Sequence, residues 1–274
     1  MRTTVAAMAA GGLLLSAAAA GHADPKSDAL FAKAKAVAAR TQALDTEVSY
    51  EMGGAGAGQK LSGTIKALKP NFWDLRISSA DGKMDEHLLS DGKTLFNIME
   101  AKKQYMKLGS AEASMLGQMG IPAVALLLAP KSLPSTRGSH YIGTITGSGR
   151  QYDVVKLPAV EGLPPGSSVK VYFGPSGLPE GQEMVMKSGG QTITQKVWLR
   201  KINLKPELTE KQFAYTPPAD FKVFEQPNLE ADLLAVDKEA PDFLLPQPGG
   251  GTQLALSDAR KGKKAVLVNF WFYG

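Results

Sequence analysis

The segment Glu47-Val48-Ser49-Tyr50-Glu51-Met52 alternates polar and apolar residues, and the same period of two continues beyond it. Apolar residues recur at alternate positions from Leu61 to Ala67 and again from Trp73 to Ile77. Because successive side chains of a strand point to opposite faces, this period predicts strands with one buried face. Asp81-Gly82 and Asp91-Gly92 are favourable hairpin turns, so the strands are predicted to form an antiparallel meander.

Segments of the same alternating character continue along the chain, separated by turns that contain Gly or Pro. Short strands at regular spacing with tight turns are typical of an antiparallel sheet. The further predicted strands span residues 84–89, 94–99, 104–108, 140–146, 151–156, 168–173, 178–187 and 191–204.

Two segments have helical spacing instead. Residues 26–44 place apolar side chains at intervals of three and four, with Ser27 as a candidate N-cap. Residues 110–129 are nearly all apolar, with a break or cap at Gly120–Pro122. Because an apolar helix needs an apolar surface to cover, we predict a mainly β fold. It is a curved antiparallel half-barrel of roughly ten or eleven strands with a helix in its mouth.

The composition is that of a globular protein and excludes several kinds of chemistry. Of 274 residues, 43% are hydrophobic and 21% are charged, and a formal net charge of +5 is too small to indicate nucleic-acid binding. The sequence contains no cysteine, which excludes disulfides, thiol catalysis and cysteine-bound zinc for this chain. We therefore expect no cofactor, no metal and no nucleic-acid partner.

Residues 1–23 have the pattern of a cleaved export signal. Arg2 precedes an uncharged stretch rich in Ala and Leu from Val5 to Ala20, and Gly21-His22-Ala23 supplies small residues at the cleavage site. A membrane anchor is the alternative, but the apolar core has only about 16 of the roughly 20 residues that a spanning helix needs. We expect cleavage after Ala23, a periplasmic mature chain that starts at Asp24, and no stable membrane span.

The remaining sequence divides into parts of different character. Residues 24–224 hold the strand and helix patterns, residues 225–238 are predicted to be a linker, and residues 239–274 form a second segment. The second segment ends in an apolar run, Ala265 to Tyr273, which is typical of a strand buried on both faces of a larger sheet. No neighbour for such a strand follows Gly274, so we expect the sequence to be a truncated fragment.

The second segment resembles the opening of a thioredoxin-like domain of the redoxin (AhpC/TSA) and periplasmic thiol-disulfide oxidoreductase kind. The matching residues are Ala240-Pro241-Asp242-Phe243, Leu256-Ser257-Asp258, Gly262-Lys263 and Val266–Trp271. In that family the next element carries the redox cysteine at a helix N-terminus, which this sequence does not include. The resemblance implies an oxidoreductase as the intact parent and no catalytic residue within the present sequence.

Residues 24–224 resemble the periplasmic LolA/LolB-like lipoprotein carriers. The resemblance lies in Ser90–Phe96 followed by Lys103-Gln104-Tyr105, in the apolar segment Pro122–Leu128, and in a closing strand and tail. It implies a half-open barrel whose apolar cavity holds acyl chains. The matching residues of the closing strand and tail are Ile202-Asn203-Leu204, Phe213, Pro217-Pro218, Phe221 and Val223.

Polar residues with catalytic potential form no convincing constellation in the sequence. His87 and His140 are interpreted as exposed strand residues, and Glu180 and Glu183 as solvated carboxylates in a turn region. The Gly-rich run 53–58 joins two strands and opens no helix, so a hairpin loop is favoured over a phosphate-binding loop.

The candidate binding site is the apolar inner face of the curved sheet. Soft Met and Leu side chains suit a wall that accommodates varied acyl chains, although stripes of this kind are more often a filled core. The candidate ligand-binding residues are Tyr50, Trp73, Leu75, Ile77, Phe96, Ile98, Met119 and Leu127.

The sequence leaves three functions open. The first is a periplasmic carrier that binds a lipid or lipoprotein acyl chain. The second is a fragment of a thiol-disulfide oxidoreductase in which the β module is an accessory and the redox partner is unknown. The third is a structural or interaction domain whose interior is full. Co-purified lipid would separate the first from the third, and a cysteine soon after Gly274 would support the second.

Overall fold

The structure is a computed structural model, and it describes residues 24–54, 58–130, 137–147, 149–159, 163–224, 238, 241–245, 253–263 and 266. The predicted export signal, residues 1–23, lies outside this part of the chain. The chain divides into two units, residues 1–224 and residues 225–274. The first unit contains a large sheet and the second contains a short hairpin.

A 12-stranded sheet organises the first unit. Its strands are β1 (Ala43–Gly53), β2 (Gln59–Leu68), β3 (Phe72–Ser79), β4 (Asp85–Asp91), β5 (Thr94–Met99), β6 (Gln104–Ser110), β7 (His140–Gly147), β8 (Arg150–Lys156), β9 (Ser168–Phe173), β10 (Pro179–Ser188), β11 (Gln191–Asn203) and β12 (Lys222–Val223). Their spatial order is β12-β6-β5-β4-β3-β2-β1-β11-β10-β9-β8-β7. Neighbouring strands are antiparallel except β12, which runs parallel to β6. The prediction of a mainly β, open and curved antiparallel sheet is confirmed.

The first helix, α1 (Pro25–Arg40), is held at both ends by side chains. Asp24 caps its start, because Oδ1 of this residue accepts the backbone N–H of Lys26 at 2.8 Å. At the other end, Nζ of Lys69 donates to the carbonyl of Ala38 at 2.8 Å. A cation at this position also interacts favourably with the helix dipole.

Both predicted limits of this helix need correction. Ser27 lies inside the first turn and is fully buried, so it is not the cap. Leu44 belongs to β1, where it pairs with Ala67 of β2. The helix ends earlier than predicted because Thr41 adopts an extended conformation, and its Oγ1 donates to the Val37 carbonyl at 2.9 Å.

The apolar segment after β6 forms two short helices, α2 (Ser114–Gln118) and α3 (Pro122–Leu128). They are separated at Gly120, whose φ of 82° lies in the left-handed region that favours glycine. A Cβ at this position would lie 2.8 Å from Cγ2 of Val197 in β11. The predicted break is therefore confirmed, and the turn between α2 and α3 lies against the sheet.

One face of the sheet, which we call the helix-covered face, packs against α1, α2 and α3. Alternate side chains of the strands, such as Val48, Leu75 and Leu88, are buried on this face. The same core continues across the sheet and into the helices. It includes Val155, Val171, Met184 and Val197 from the strands and Phe31, Ala34, Leu116, Ile121 and Leu127 from the helices.

The opposite face of β3 to β6 is covered by the tail that follows β11. A 3-10 turn, Glu210–Phe213, brings Phe213 against this face. The ring centroids of Phe96 and Tyr215 lie 5.1 Å apart, and those of Phe72 and Phe213 lie 5.8 Å apart. We call this surface the tail-covered patch. Its residues are Phe72, Leu89, Phe96, Ile98, Phe213, Tyr215 and Phe221.

The described part of the second unit is small. Strands β13 (Leu244–Leu245) and β14 (Leu254–Ala255) pair antiparallel, and the short helix α4 (Leu256–Arg260) follows. Asp242 ties the two ends of this hairpin together, because its carboxylate accepts the backbone N–H of Ser257 at 2.9 Å. Except for Val266, the predicted terminal strand lies outside the described residues. The resemblance to a thioredoxin-like domain therefore stays a prediction.

Candidate functional site

Most of the predicted site residues lie together in the core of the helix-covered face. Trp73 and Leu75 have 0% exposed surface, so other protein atoms cover them completely. Met119, just after α2, is only partly buried against the same core. The predicted site residues on this face are Tyr50, Trp73, Leu75, Ile77, Met119 and Leu127.

Phe96 and Ile98 lie on the opposite face, in the tail-covered patch, so their predicted place on the inner face is corrected. The register of the strands explains the difference. Leu89 pairs with both Phe96 and Asp74, and Asp74 points to the face opposite to Trp73. A shift of one residue reverses the faces of a whole strand, so alternation alone could not assign the faces of β5.

Two polar side chains that the sequence suggested to be exposed are buried. His87 is 5% exposed, and its Nε2 lies 3.1 Å from Oδ1 of Asp74. Glu180 is 1% exposed, and its Oε1 accepts the backbone N–H of Ser176 at 2.8 Å. Oε2 of Glu180 lies 3.7 Å from Nη1 of Arg150. Both side chains have partners within the protein, which indicates a structural role.

Burial by itself would raise the pKa of Asp74, but its neighbours outweigh this effect. The imidazole of His87 and the guanidinium of Arg76 hold the pKa of this carboxyl below its ordinary value. Nε of Arg76 lies 3.3 Å from Oδ1 of Asp74. This ionic cluster stabilises the face opposite to the helices.

The described residues form neither a metal-type cluster nor a helix of membrane-spanning length. In that part of the chain, no group of at least three His, Asp or Glu side chains is placed to hold a metal ion. The described helices are all too short or too polar to cross a bilayer.

Flexible methionines gather at one end of the helix-covered face. Met52, Gln195 and Met184 are directly in register on β1, β11 and β10. Met84 precedes β4 at the same end, and its carbonyl accepts the backbone N–H of Ser79 at 2.8 Å. Met is unbranched and adapts to surfaces of different shape. We call this region the methionine end. Its methionines are Met52, Met84, Met119, Met184 and Met186, and Met115 packs against the same core.

The strand methionines of this region were not among the predicted site residues. Met52 continues the alternation that contains Tyr50, and Met184 and Met186 are two residues apart on β10. This spacing is the signal that could have placed them on one face, because residues two apart along a strand share a face.

Tyr50 carries a buried hydroxyl beside the methionine end. The residue is 1% exposed, and its Oη has no hydrogen-bond partner among the described residues. Burial raises the pKa of Tyr50, and the negative charge of Glu86 raises it further. Leaving a buried polar group unpaired costs about 1–3 kcal/mol, so such groups are often explained by a functional partner or a water molecule.

Glu86 was also missed by the sequence interpretation. It lies opposite Ile77 in the β3–β4 ladder and therefore shares the helix-covered face with Ile77. The side chain is half-buried, and burial raises the pKa of its carboxyl above the ordinary value. The spacing of two from Leu88 was the available signal, since Leu88 faces the same core.

The fold and the site together define a class of structure, an open antiparallel sheet with an apolar face under short helices. No protein-family model matches the chain, and no curated protein matches it. Solved structures do match. One is an uncharacterized conserved protein from Thermus thermophilus, with a TM-score of 0.46 and 11% identity over 73% of this chain and 99% of that chain.

The names of two further solved structures indicate the kind of protein that each one is. A LolA superfamily protein from Nitrosomonas europaea matches with a TM-score of 0.36 and 11% identity, over 69% of this chain and 97% of that chain. The lipoprotein LppX from Mycobacterium tuberculosis matches with a TM-score of 0.39 and 13% identity, over 68% of this chain and 100% of that chain. These scores are all below 0.5, so the function proposed below depends on the geometry of this chain's own residues.

Proposed function

We propose that the first unit is a carrier that binds the acyl chain of a lipid or lipoprotein against the helix-covered face. The observation that carries this proposal is the methionine end, where flexible apolar side chains share a face with the buried hydroxyl of Tyr50, which has no hydrogen-bond partner within the described residues. Branched side chains with few conformations pack a filled core more precisely. Met side chains adapt their shape and therefore suit a wall that contacts a flexible acyl chain.

The cover over this face suits a carrier that opens. Helices α2 and α3 are short, and the break at Gly120 divides their apolar surface into two pieces. Their contacts with the sheet are largely apolar, as in the approach of Gly120 to Val197. An acyl chain can replace such contacts one methylene at a time, because apolar contacts have no fixed direction.

The energy available to such a ligand is sufficient. Burial of one methylene contributes about 0.8 kcal/mol, so a chain of about twelve methylenes contributes ~10 kcal/mol before the costs of ordering it and moving the cover. Apolar walls alone can therefore hold the ligand, and a catalytic constellation is not required.

The carrier proposal includes export to the periplasm through the predicted signal at residues 1–23. Residues 239–274 would then be the start of an attached thioredoxin-like domain, as their sequence resemblance implies. The described hairpin and helix α4 provide no observation that favours the oxidoreductase alternative over the carrier. A cysteine encoded within a few positions after Gly274 would support the oxidoreductase function.

Native mass spectrometry of the chain, purified without detergent, tests the proposal. The expected result is a bound mass in the range of a lipid that disappears after extraction with organic solvent and returns when 1-dodecanol is added. A ligand-free mass that does not change on addition of 1-dodecanol would show that the interior is a filled core.

A further inference from the structure

Two polar side-chain atoms are buried without a partner in the core of the helix-covered face. They are Nε1 of Trp73, which is 0% exposed, and Oη of Tyr50, which is 1% exposed. Neither atom has a hydrogen-bond partner among the residues that the structure describes. The other buried members of this core carry no side-chain nitrogen or oxygen. These two atoms are therefore the polar groups that a ligand entering the core would meet.

The strand register places the two residues far apart on the same face. Tyr50 is in register with Leu61 of β2, whereas Trp73 is in register with Ala67 of that strand. Leu61 and Ala67 share a face because they are an even number of residues apart. At roughly 3.3 Å per residue, the rows of Tyr50 and Trp73 are separated by about 20 Å along the strands.

Between these rows, the described positions of β1 to β3 offer an apolar path. Thr46 is the polar residue on the path, and its Oγ1 already donates to the carbonyl of Arg200 at 2.6 Å. The intervening positions, taken in register, are Val48, Gly63 and Ile77 in one row and Thr46, Ile65 and Leu75 in the next. The path therefore suits an alkyl chain, with an available polar group only at each end.

The unpartnered atoms also define the chemistry that each end requires. The indole Nε1 of Trp73 is a donor only, so it needs an acceptor such as a hydroxyl or an ester carbonyl oxygen. The hydroxyl of Tyr50 can donate or accept. The positions between them are uncharged, so a charged end group would lose its solvation without gaining an opposite charge. Neutral oxygen functions are therefore favoured at both ends.

We propose that the helix-covered face binds a long alkyl chain with a neutral oxygen function at each end, one accepting from Nε1 of Trp73 and the other bonded to the hydroxyl of Tyr50. This inference rests on the proposed carrier function and adds the class of ligand. An ordinary apolar site disfavours such a ligand, because the second oxygen would be buried without a partner.

Competition between 1,12-dodecanediol and 1-dodecanol for the full chain tests the inference. Equal concentrations of the two alcohols are added, and native mass spectrometry gives the ratio of the two bound forms. The diol is expected to bind at least as tightly as 1-dodecanol, because each of its ends forms a hydrogen bond. A second hydroxyl without a partner would instead weaken binding about tenfold. The shorter 1,8-octanediol cannot reach both atoms and should bind less tightly than 1-octanol.

Two substitutions each remove one of the proposed hydrogen bonds. Tyr50→Phe and Trp73→Phe should each shift the ratio about tenfold towards 1-dodecanol, whose single hydroxyl can still use the remaining group. The matched controls lie on the opposite face. Oη of Tyr215 is also buried without a partner, but in the tail-covered patch, and Trp198 packs on Tyr172 with ring centroids 4.8 Å apart. Tyr215→Phe and Trp198→Phe should leave the ratio unchanged.

The outcomes separate the inference from the function on which it rests. If 1-dodecanol binds and outcompetes the diol on the unaltered chain, the inference is wrong and the carrier function stands. An equal shift of the ratio in Tyr50→Phe and Tyr215→Phe would also overturn the inference, since it would indicate a general effect of losing a buried hydroxyl. If neither alcohol binds, the carrier function itself is wrong.

Discussion

The two apolar surfaces of the sheet are closed in different ways. The tail-covered patch is closed by rigid aromatic side chains of the same chain, and backbone hydrogen bonds hold the tail in place. The N–H of Phe224 donates to the Tyr105 carbonyl at 2.7 Å, and that of Lys222 donates to the Lys103 carbonyl at 2.9 Å. The helix-covered face instead has flexible methionines at one end, and the short helices α2 and α3 form part of its cover beside α1. We infer that the first closure is permanent and that the second can be displaced by a ligand.

The largest change in stability is expected when an aromatic side chain is removed from the tail-covered patch. Phe213→Ala should lower the free energy of unfolding by about 3–5 kcal/mol, because Phe213 is 1% exposed and packs on Phe72. Urea unfolding measures this change. Phe224→Ala is the control, because Phe224 is 37% exposed, and it should cost about 1 kcal/mol or less. A loss of 1-dodecanol affinity in folded Phe213→Ala would contradict the separation of the two surfaces.

A smaller effect is expected at the turn between α2 and α3. Gly120→Ala introduces a Cβ against Val197 at a φ of 82°, whereas Gly190→Ala introduces one at a similar φ of 78° with no neighbouring atom within 4 Å. The first variant should therefore be less stable than the second by about 1–3 kcal/mol in urea unfolding. Equal stability of the two variants would mean that the turn does not pack closely on the sheet.

The methionine end should affect binding more than stability. Met186→Gln keeps the length of the side chain but places an amide in the partly buried wall, so the affinity for 1-dodecanol should fall about fivefold. Met106→Gln is the matched control, because Met106 lies on β6, outside the buried clusters. Titration calorimetry gives both affinities. A similar loss in the control would argue against a localised wall.

The smallest effect concerns the pH dependence of stability. Burial raises the pKa of Glu86, so this carboxylate lowers stability at neutral pH, and the penalty disappears as the pH falls below its ordinary value of 4.5. Glu86→Gln should therefore raise the free energy of unfolding at pH 7 by less than about 1 kcal/mol, with no gain near pH 3.

Asp74, on the opposite face, should show the reverse sign. Its pKa is lowered, so its contribution to stability is present above the ordinary value of 3.8 and is lost as the pH falls through the folded-state pKa. Asp74→Asn should destabilise the protein at pH 7, and the difference should shrink at low pH. Urea unfolding at several pH values would contradict this account if both variants changed stability in the same direction.

The sequence predicted the local features of the fold well. The alternation around Tyr50, Trp73 and Leu75 correctly placed these residues on one buried face, and the Gly120 break was also correct. These features depend on strand period and on turn chemistry, which short segments determine by themselves.

The features that the sequence did not predict depend on distant contacts. The faces of β5 follow from its pairing with β4, so Phe96 could not be placed from alternation alone. At the end of α1, beside the local cap at Thr41, the side chain of Lys69 from beyond β1 and β2 donates to the Ala38 carbonyl. Alternation could place the apolar candidate residues of β1 and β3 on one buried face, but it gave no reason to include Glu86, because a single carboxylate in a strand usually faces solvent.

Hydrogen–deuterium exchange with and without saturating 1-dodecanol tests the central claim most directly. Amides of α2 and α3 are expected to exchange faster when the probe is bound, because the probe displaces this cover. Amides of the tail, residues 204–224, should exchange at the same rate in both samples. Unchanged exchange in α2 and α3 with bound probe, or an equal change in the tail, would contradict the claim that only the helix-covered face opens.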